Sequence, residues 1–304
     1  MQRSQIILIL KTISQPIWLK FAPVIFTLLW AGGYGVAKLA LQYAEPFTLL
    51  TIRFGLVVLL LLPLYLIFRP KLPTTPNQWL HLVIVGALMQ AVYFGCAWWA
   101  FRSGVSSGVL AISMSLQPIL VAIVAPNLAN EKVSATQWLG LLLGLIGVLV
   151  VILVRAEIEP PTIAGISFSI LALLAITSGV IYEKRFGKKH HPIISNIVQY
   201  FAAFLMVLPA AFMFETMQVQ WTGNLFAALA YLVIGNSIIA ISLLLAMISA
   251  GEVSRVSSLM FLVPPLAAIF GWMLLGEKMP VSAWGGMAIA AVGVAIVTRS
   301  KATA

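Results

Sequence analysis

Charge is scarce in this 304-residue sequence: aspartate is absent, and the charged residue types together make up 9% of the chain. A soluble domain carries roughly 25% charged residues, whereas 62% of this chain is hydrophobic. Too few polar side chains are present to cover a water-facing surface, so we expect lipid to be the solvent. Cys96 is the single cysteine, which excludes an intrachain disulfide and a cysteine-cluster metal site.

Catalytic motifs are equally scarce. Gly104–Gly108 matches the G-x-S-x-G pattern of serine hydrolases. The three histidines, His81, His190 and His191, are predicted at the opposite membrane face, so Ser106 lacks a base. No H-E-x-x-H motif, P-loop or carboxylate pair occurs. We therefore expect no enzyme, catalytic residue, cofactor or metal site. The net charge of +10 is predicted to reflect membrane topology instead of nucleic-acid binding.

Long apolar runs occupy most of the chain. A membrane-spanning helix needs about 20 apolar residues, and charged or turn-forming residues separate ten such runs. The predicted fold is an all-α integral membrane protein with ten spans, preceded by a basic arm over residues 1–20 that can lie on the membrane surface. The predicted spans are 21–42, 47–68, 79–101, 105–126, 136–154, 162–183, 193–214, 223–249, 253–275 and 282–298.

Lysine and arginine are distributed unevenly over the predicted loops. If the N-terminus is cytoplasmic, thirteen of them lie on the inner side and three on the outer side, leaving aside Lys38 and Arg53 within spans. Cytoplasmic loops favour these residues. The pattern therefore predicts a multi-pass protein of the cytoplasmic (inner) membrane with both termini in the cytoplasm.

The sequence repeats itself at a spacing of about 146 residues. The matching positions include Pro46 and Pro192, Pro63 and Pro209, Trp138 and Trp284, and Gly147 and Gly293. Each half holds five spans, and an odd number gives the second half the opposite orientation in the membrane. We therefore predict two inverted repeats, over 21–155 and 160–299. Inverted repeats are typical of transporters in which two halves rock about a central site.

Several further segments carry related motifs in the two halves. They are 251–266 (GEVSRVSSLMFLVPPL), Gly276-Glu277-Lys278, Trp284-Gly285-Gly286, Trp30–Lys38 (WAGGYGVAK), Arg53-Phe54, Ser115–Pro118 (SLQP), and Glu131 followed by Trp138-Leu139-Gly140. Together they resemble the EamA-type transporters of the drug/metabolite transporter superfamily, over nearly the whole chain except the arm. The resemblance implies a central cavity lined by spans 1, 3, 4, 6, 8 and 9, with spans 5 and 10 peripheral. It also implies export of amino acids, related metabolites or drugs.

Prolines at mid-span are the first candidates for a moving part. Pro118 in span four and Pro264-Pro265 in span nine occupy equivalent positions. Proline removes a backbone donor and frees the carbonyl four residues earlier. We predict symmetric kinks that shape the cavity and flex as a gate during transport, and a fixed structural kink is the alternative.

Polar and aromatic side chains at mid-depth are the candidates for substrate contact. Amides and hydroxyls are costly in hydrocarbon, so they are expected to face a cavity or, alternatively, to hydrogen-bond between helices. Trp30 and Tyr34 share one face of span one and are expected to form an aromatic wall against an apolar or cationic substrate, with core packing as the alternative. The predicted substrate-binding residues are Trp30, Tyr34, Gln90, Tyr93, Ser113, Gln117, Asn236 and Ser242.

Charges near one membrane face suggest a gate. We hypothesise that Lys38, Glu45 and Arg53 form an outer cluster that recognises a carboxylate or closes an outer gate. The alternative is that the long side chains reach out to the interface. No carboxylate is predicted at mid-membrane, where a proton- or sodium-coupled carrier usually keeps one. The coupling mode is therefore open between uniport and a glutamate at a helix end.

Glycines recur through spans five and ten, at positions that include Gly140, Gly144, Gly147 and Gly293. Small residues at intervals of four let helices pack closely. We expect this packing within one monomer, and the alternative is the interface of a homodimer.

The combined prediction is a secondary transporter that exports small metabolites, such as amino acids or related compounds, by alternating access. Its expected partners are a small-molecule substrate and the lipid bilayer. One alternative is an exporter of cationic or amphiphilic drugs. An alternative of another class is a membrane sensor or scaffold without transport.

Overall fold

The structure is a computed structural model that describes residues 17–105, 110, 113–114, 116–128, 132–155, 162–187, 190–250, 253–275 and 281–300. Its described residues form mainly apolar helices. The helices are α1 (Ile17–Ala40), α2 (Pro46–Phe68), α3 (Pro76–Arg102), α4 (Gln117–Leu128), α5 (Ala135–Arg155), α6 (Ile163–Phe186), α7 (Pro192–Phe214), α8 (Gly223–Ala250), α9 (253–275) and α10 (Val281–Arg299).

Within these residues, six helices are long and apolar enough to cross a membrane, namely α1 to α3 and α6 to α8, and four further apolar helices are shorter. This confirms the predicted all-α membrane fold, while the count of ten spans stays a prediction. One boundary differs from those predicted. Helix α1 begins at Ile17, because the apolar run Ile17–Leu19 extends the helix into the segment assigned to the arm; residues 1–16 lie outside the described residues. Helix α4 is described from Gln117, and most of the residues between the predicted start at 105 and Leu116 lie outside the described residues.

The helix contacts have the symmetry expected of two related halves. Helices α1 and α6 each contain 24 residues, and α2 and α7 each contain 23. Helix α2 packs on α7 and α5 on α10, so that each helix meets its own counterpart. Helix α3 contacts α6 in the same way as α8 contacts α1. A twofold pseudo-symmetry axis between the repeats accounts for all these pairs.

The contact between α5 and α10 rests on glycines that face each other. A Cβ atom on Gly147 would lie 2.3 Å from the backbone nitrogen of Ala290, and one on Gly293 would lie 2.4 Å from that of Gly144. A side chain at either position would therefore push the two backbones apart. These glycines serve close packing within the monomer, as expected from the sequence.

Three stretches inside the helices depart from α-helical geometry. Ala87–Val92 in α3 and Tyr231–Ala240 in α8 are π-helical, and Leu259–Leu262 in α9 is a 3₁₀ turn. The two π-helical stretches occupy equivalent places in the two repeats. Such stretches are frequent at functional sites because they leave backbone groups free and redirect side chains. Gln90 and Asn236 lie in them.

Candidate substrate site

A narrow cavity lies between α1, α2, α3, Leu110 and α8. Its wall is mostly aromatic, and its polar lining includes Arg53 from α2 and Asn236 from α8. The aromatic lining residues are Trp30, Tyr34, Tyr93, Phe94, Trp98 and Phe101. Small-molecule sites are typically concave, largely apolar and equipped with a few convergent polar groups, which is the composition seen here.

The aromatic side chains of α1 and α3 are held in fixed relation to one another. The rings of Trp30 and Tyr93 stack with centroids 6.0 Å apart and planes within 10°. The hydroxyl oxygens of Tyr34 and Tyr93 lie 3.2 Å apart, at hydrogen-bonding distance. The structure thus brings together three of the residues predicted for substrate contact, on two different helices.

Arg53 is the most unusual residue of the cavity, because its charged side chain is fully buried. Its Nε donates to Ser237 Oγ at 2.7 Å, and its Nη2 donates to Asn236 Oδ1 at 2.7 Å. The guanidinium carbon lies 4.3 Å from the ring centre of Phe94. Both acceptors belong to the π-helical stretch of α8, so Arg53 joins the first repeat to the second.

The hydrogen bonds of Arg53 leave one nitrogen unused. Within the part of the chain that the structure describes, Nη1 is buried without a hydrogen-bond partner, and no carboxylate lies within ion-pair distance of the guanidinium. A buried charge is costly unless a counter-charge or several dipoles compensate it. Two neutral acceptors and the face of Phe94 compensate this one in part.

Four other predicted substrate residues do not line the cavity. Gln90 and Gln117 are buried in the helix packing, and Ser113 is half-buried. The hydroxyl of Ser242 accepts a hydrogen bond from Asn196 Nδ2 at 2.8 Å. For Ser242 the interhelical alternative therefore describes the structure, because the hydroxyl is turned towards α7.

Gln90 has a notable neighbour in Gln199, which the sequence analysis did not select. Both side chains are fully buried, and all four of their amide atoms lack a partner among the described residues. A Cβ atom on Gly86, one turn before Gln90, would lie 2.5 Å from the backbone oxygen of Gln199, so α3 and α7 touch here. The internal repeat could have identified Gln199, because Gln199 lies 146 residues after Arg53 and is therefore its counterpart in the second half.

The three prolines predicted to act in gating lie directly after departures from α-helical geometry. Pro118 lies in the first turn of α4, directly after a turn at Leu116. Pro264 and Pro265 lie in the first turn that follows the 3₁₀ stretch of α9. A first-turn position suits Pro118, because the backbone donor that proline lacks would have no partner there. Their role in gating stays a prediction.

The hypothesised cluster of Lys38, Glu45 and Arg53 requires correction. Lys38 is exposed, and Arg53 is buried in the cavity. Glu45 forms an ion pair with Arg102 instead, with an N–O distance of 3.0 Å. The separation arises because the side chain of Arg53 is turned towards α8, while Glu45 lies in the loop before α2.

Glu45 also binds the other repeat. Its carboxylate accepts hydrogen bonds from the backbone N–H and the hydroxyl of Thr216, at 2.6 and 2.8 Å. Partial burial raises the pKa of Glu45, but the hydrogen bonds from Thr216 and the charge of Arg102 outweigh it, so the net pKa lies below the ordinary value. The carboxylate is therefore ionised at neutral pH.

A second carboxylate completes this connection. Glu215, at the end of α7, accepts from the backbone N–H groups of Phe47 and Thr48 at 2.7 Å each, and from the Thr48 hydroxyl at 2.8 Å. A carboxylate stabilises a helix N-terminus by satisfying its free donors. We call Glu45, Thr48, Arg102, Glu215 and Thr216 the carboxylate latch. Because Arg102 follows Phe101 of the cavity wall, the latch lies at the same end of the helices as the cavity.

Comparison with known proteins identifies the family of this chain. The model of the EamA-like transporter family matches residues 17–153 and again 163–299. The chain belongs to the EamA-like transporter family. The match to two copies of the family model agrees with the internal repeat, and it makes the chain a multi-pass membrane transporter.

Individual relatives of this EamA-like transporter share less than a third of their aligned residues with it. Protein PecM of Dickeya dadantii is 29% identical over 216 residues, which cover 70% of this chain and 71% of PecM. The uncharacterized transporter YvbV of Bacillus subtilis is 23% identical over 90% of each chain. The uncharacterized inner membrane transporter YedA of Escherichia coli K12 is 23% identical over 90% of this chain and 88% of YedA.

A protein solved by crystallography superposes on the EamA-like chain with a TM-score of 0.77, covering 92% of this chain and 96% of its own, at 19% identity. This similarity shows the fold alone. The family and the two uncharacterized relatives are named as transporters, which agrees with the expectation that the chain is no enzyme. Ser106 of the G-x-S-x-G match lies outside the described residues.

Proposed function

We propose that this chain is a secondary transporter that exports small metabolites, such as amino acids or related compounds, by alternating access. In this proposal ten spans cross the cytoplasmic membrane as two inverted repeats, and both termini are cytoplasmic. The observation that carries the proposal is the position of the cavity at the junction of the repeats. Its aromatic wall belongs to the first repeat, and Asn236 belongs to the second.

The cavity can respond to a relative movement of the repeats. Arg53 of α2 is bonded to Asn236 and Ser237 of α8, so rocking of one repeat against the other changes the polar wall directly. Alternating access requires such a coupling between the site and the moving halves. The π-helical geometry around Asn236 supports a role in this movement.

In this proposal the carboxylate latch acts as the outer gate of the transporter. The preference of lysine and arginine for the inner side assigns the loop before α2, and with it the latch, to the outer membrane face. Glu45 and Glu215 each bond to the other repeat there. Release of substrate to the outside therefore requires these hydrogen bonds to break, and they re-form when the outer side closes.

Flux measurements in proteoliposomes test the proposal. The purified protein is first screened by thermal shift against amino acids, related carboxylic acids and cationic drugs, since a ligand stabilises by RT ln(1 + [L]/Kd). Ligands that stabilise the protein are then loaded for counterflow. Saturable counterflow that requires the protein supports a carrier. Stabilising ligands without any counterflow would contradict transport and favour the sensor alternative.

A further inference from the structure

The fully buried Arg53 side chain, with its unpartnered Nη1, points to a ligand of negative charge. We propose that the cavity takes a monocarboxylate on an aromatic or apolar body, and that Arg53 supplies the counter-charge. This inference deepens the proposed transport function and rests on it. It narrows the proposed substrates to one chemical class.

The hydrogen-bond inventory of Arg53 leads to this assignment. A guanidinium group has five N–H donors in a planar fork. Ser237 and Asn236 occupy donors of Nε and Nη2, while Nη1 has no partner among the described residues. A carboxylate is the anion whose shape matches such a fork. Its binding would satisfy the donor and neutralise the buried charge in one step.

The tyrosine pair supplies a second donor. The hydroxyls of Tyr34 and Tyr93 share one hydrogen bond. Whichever hydroxyl donates in that bond, the proton of the other stays available to a ligand. Both residues line the same cavity as Arg53. The cavity therefore offers donors, as a carboxylate requires, and its lining residues in the described chain carry no acidic group.

The aromatic wall selects the rest of the substrate. Trp30 and Phe94 lie against Tyr93 with ring centroids 6.0 and 4.7 Å away, which leaves an apolar surface for a ring or alkyl chain. A cationic substrate is disfavoured, because the guanidinium is already present. The guanidinium carbon also lies 4.3 and 5.7 Å from the ring centres of Phe94 and Trp98, where it competes with a ligand cation for these rings. Amino acids meet the carboxylate requirement.

A matched ligand series tests the charge preference on the unmodified protein. Phenylacetate, phenylacetamide and phenethylammonium share one ring and one short chain, and they carry a negative, neutral and positive group. Binding is measured by thermal shift and calorimetry in detergent at pH 7. We expect phenylacetate to bind about tenfold or more tightly than phenylacetamide, since a hydrogen bond to a charged group adds about 1.5–3 kcal/mol. Phenethylammonium is expected to bind most weakly.

Variants assign the preference to Arg53. Arg53→Gln should reduce the ratio between phenylacetate and phenylacetamide to about one. Arg53→Lys, which keeps the charge without the fork, should retain part of the ratio. Arg299→Gln, an exposed substitution of the same kind, is the control and should keep the full ratio. If the buried substitutions prevent folding, the ligand order on the unmodified protein still decides.

Three outcomes would overturn the inference: no binding of phenylacetate, equal binding of the three ligands, or strongest binding of phenethylammonium. A failure of the proposed transport function would give a different result from a failure of the carboxylate site. Phenylacetate that binds through Arg53 without counterflow leaves the carboxylate site in place and contradicts the proposed transport. Saturable counterflow of phenethylammonium together with no binding of phenylacetate would support transport and contradict the carboxylate site.

Discussion

The two repeats use equivalent positions for different chemistry. Where the first repeat has Trp30, Tyr34 and Arg53, the second repeat has Ile176, Val180 and Gln199, 146 residues later in each case. Helices α3 and α8 begin 147 residues apart, at Pro76 and Gly223, and at that spacing Tyr93 and Trp98 correspond to Ala240 and Leu245. The second set is buried and mostly aliphatic. The helix framework is shared, whereas the cavity is built on the first repeat.

This difference separates two functions of one repeated fold. Glycines at equivalent positions, such as Gly147 and Gly293, are close-packed in both repeats, because the helix framework depends on them equally. Duplicated cavity residues are under no such requirement, since one binding site is enough for transport. We therefore expect symmetric effects from framework substitutions and asymmetric effects from cavity substitutions.

The largest expected effect comes from Arg53→Gln, which gives the first repeat the residue of the second. Counterflow should fall by about 100-fold, because losing one partner of a buried charged contact typically costs about 2–5 kcal/mol. The matched variant Gln199→Met changes the counterpart position and should stay within about twofold of the unmodified protein. Counterflow normalised to folded protein measures both. Equal losses in the two variants would contradict a cavity built on the first repeat.

Framework substitutions come next. Gly147→Ala and Gly293→Ala should each lower stability by about 1–3 kcal/mol, because the added Cβ atom overpacks a backbone contact. The Cβ atom of the control, Gly285→Ala, meets nothing within 4 Å, and this variant should behave like the unmodified protein. Melting temperatures in detergent compare the three. A large difference between Gly147→Ala and Gly293→Ala would show that the framework is less symmetric than its geometry.

The carboxylate latch is a further difference between the two repeats, and it lies in their loops. The position equivalent to Glu45 in the second repeat is His191, which accepts from Ile193 N–H of its own helix at 3.3 Å. Within the described residues, its side chain makes no hydrogen bond to the first repeat. The pKa of Glu45 in the folded protein lies below its ordinary value of 4.5. Its stabilising contribution is therefore present above pH 4.5 and is lost as the pH falls through the lowered pKa.

Glu45→Gln tests this contribution. The variant should melt at a lower temperature than the unmodified protein at pH 7, and the gap should narrow as the pH is lowered below 4.5. A melting series in detergent at several pH values measures it. A gap that widens on acidification would reverse the sign of the linkage and contradict the ionised latch.

The smallest effect is expected at the counterpart of the Arg53 contact, where Gln90 and Gln199 lie on the packed helices α3 and α7. Gln90→Leu removes two buried amide atoms that have no described partner. Stability should stay unchanged or rise by up to about 1–3 kcal/mol, the usual penalty of an unsatisfied buried polar group. Melting temperatures measure the change, and Gln117→Leu is a comparison at another buried glutamine. A clear loss of stability in Gln90→Leu would show that the amides have partners.

The framework was predictable because its signals are local in sequence. Apolar runs and turn residues located helices such as α2 and α7 within one or two residues of their observed bounds. The repeat spacing also predicted which halves correspond. The side-chain directions were not predictable in the same way, because the rotation of a helix about its axis is set by packing against its neighbours. Arg53 therefore appeared as an outer gate in the sequence and as a cavity residue in the structure.

The carboxylate latch shows a second limit of sequence reasoning. Glu45 and Arg102 lie 57 residues apart, and Glu45 and Thr216 lie 171 residues apart. Nothing in the local sequence links such positions, and only the packing of the two repeats brings them together. The aromatic cluster was partly predictable, since Trp30 and Tyr34 share a helix face, whereas Phe94 and Trp98 required the observed approach of α1 and α3.

The central claim, a binding site built on the first repeat, is tested most directly by substrate protection of single cysteines. Ala97 lines the cavity and corresponds to Leu244 in the second repeat, and both are nearly fully buried. In a Cys96→Ser background, the variants Ala97→Cys and Leu244→Cys are labelled with N-ethylmaleimide, with and without saturating phenylacetate. We predict protection at position 97 and none at 244. Protection at 244 alone, or equal protection at both positions, would contradict the claim.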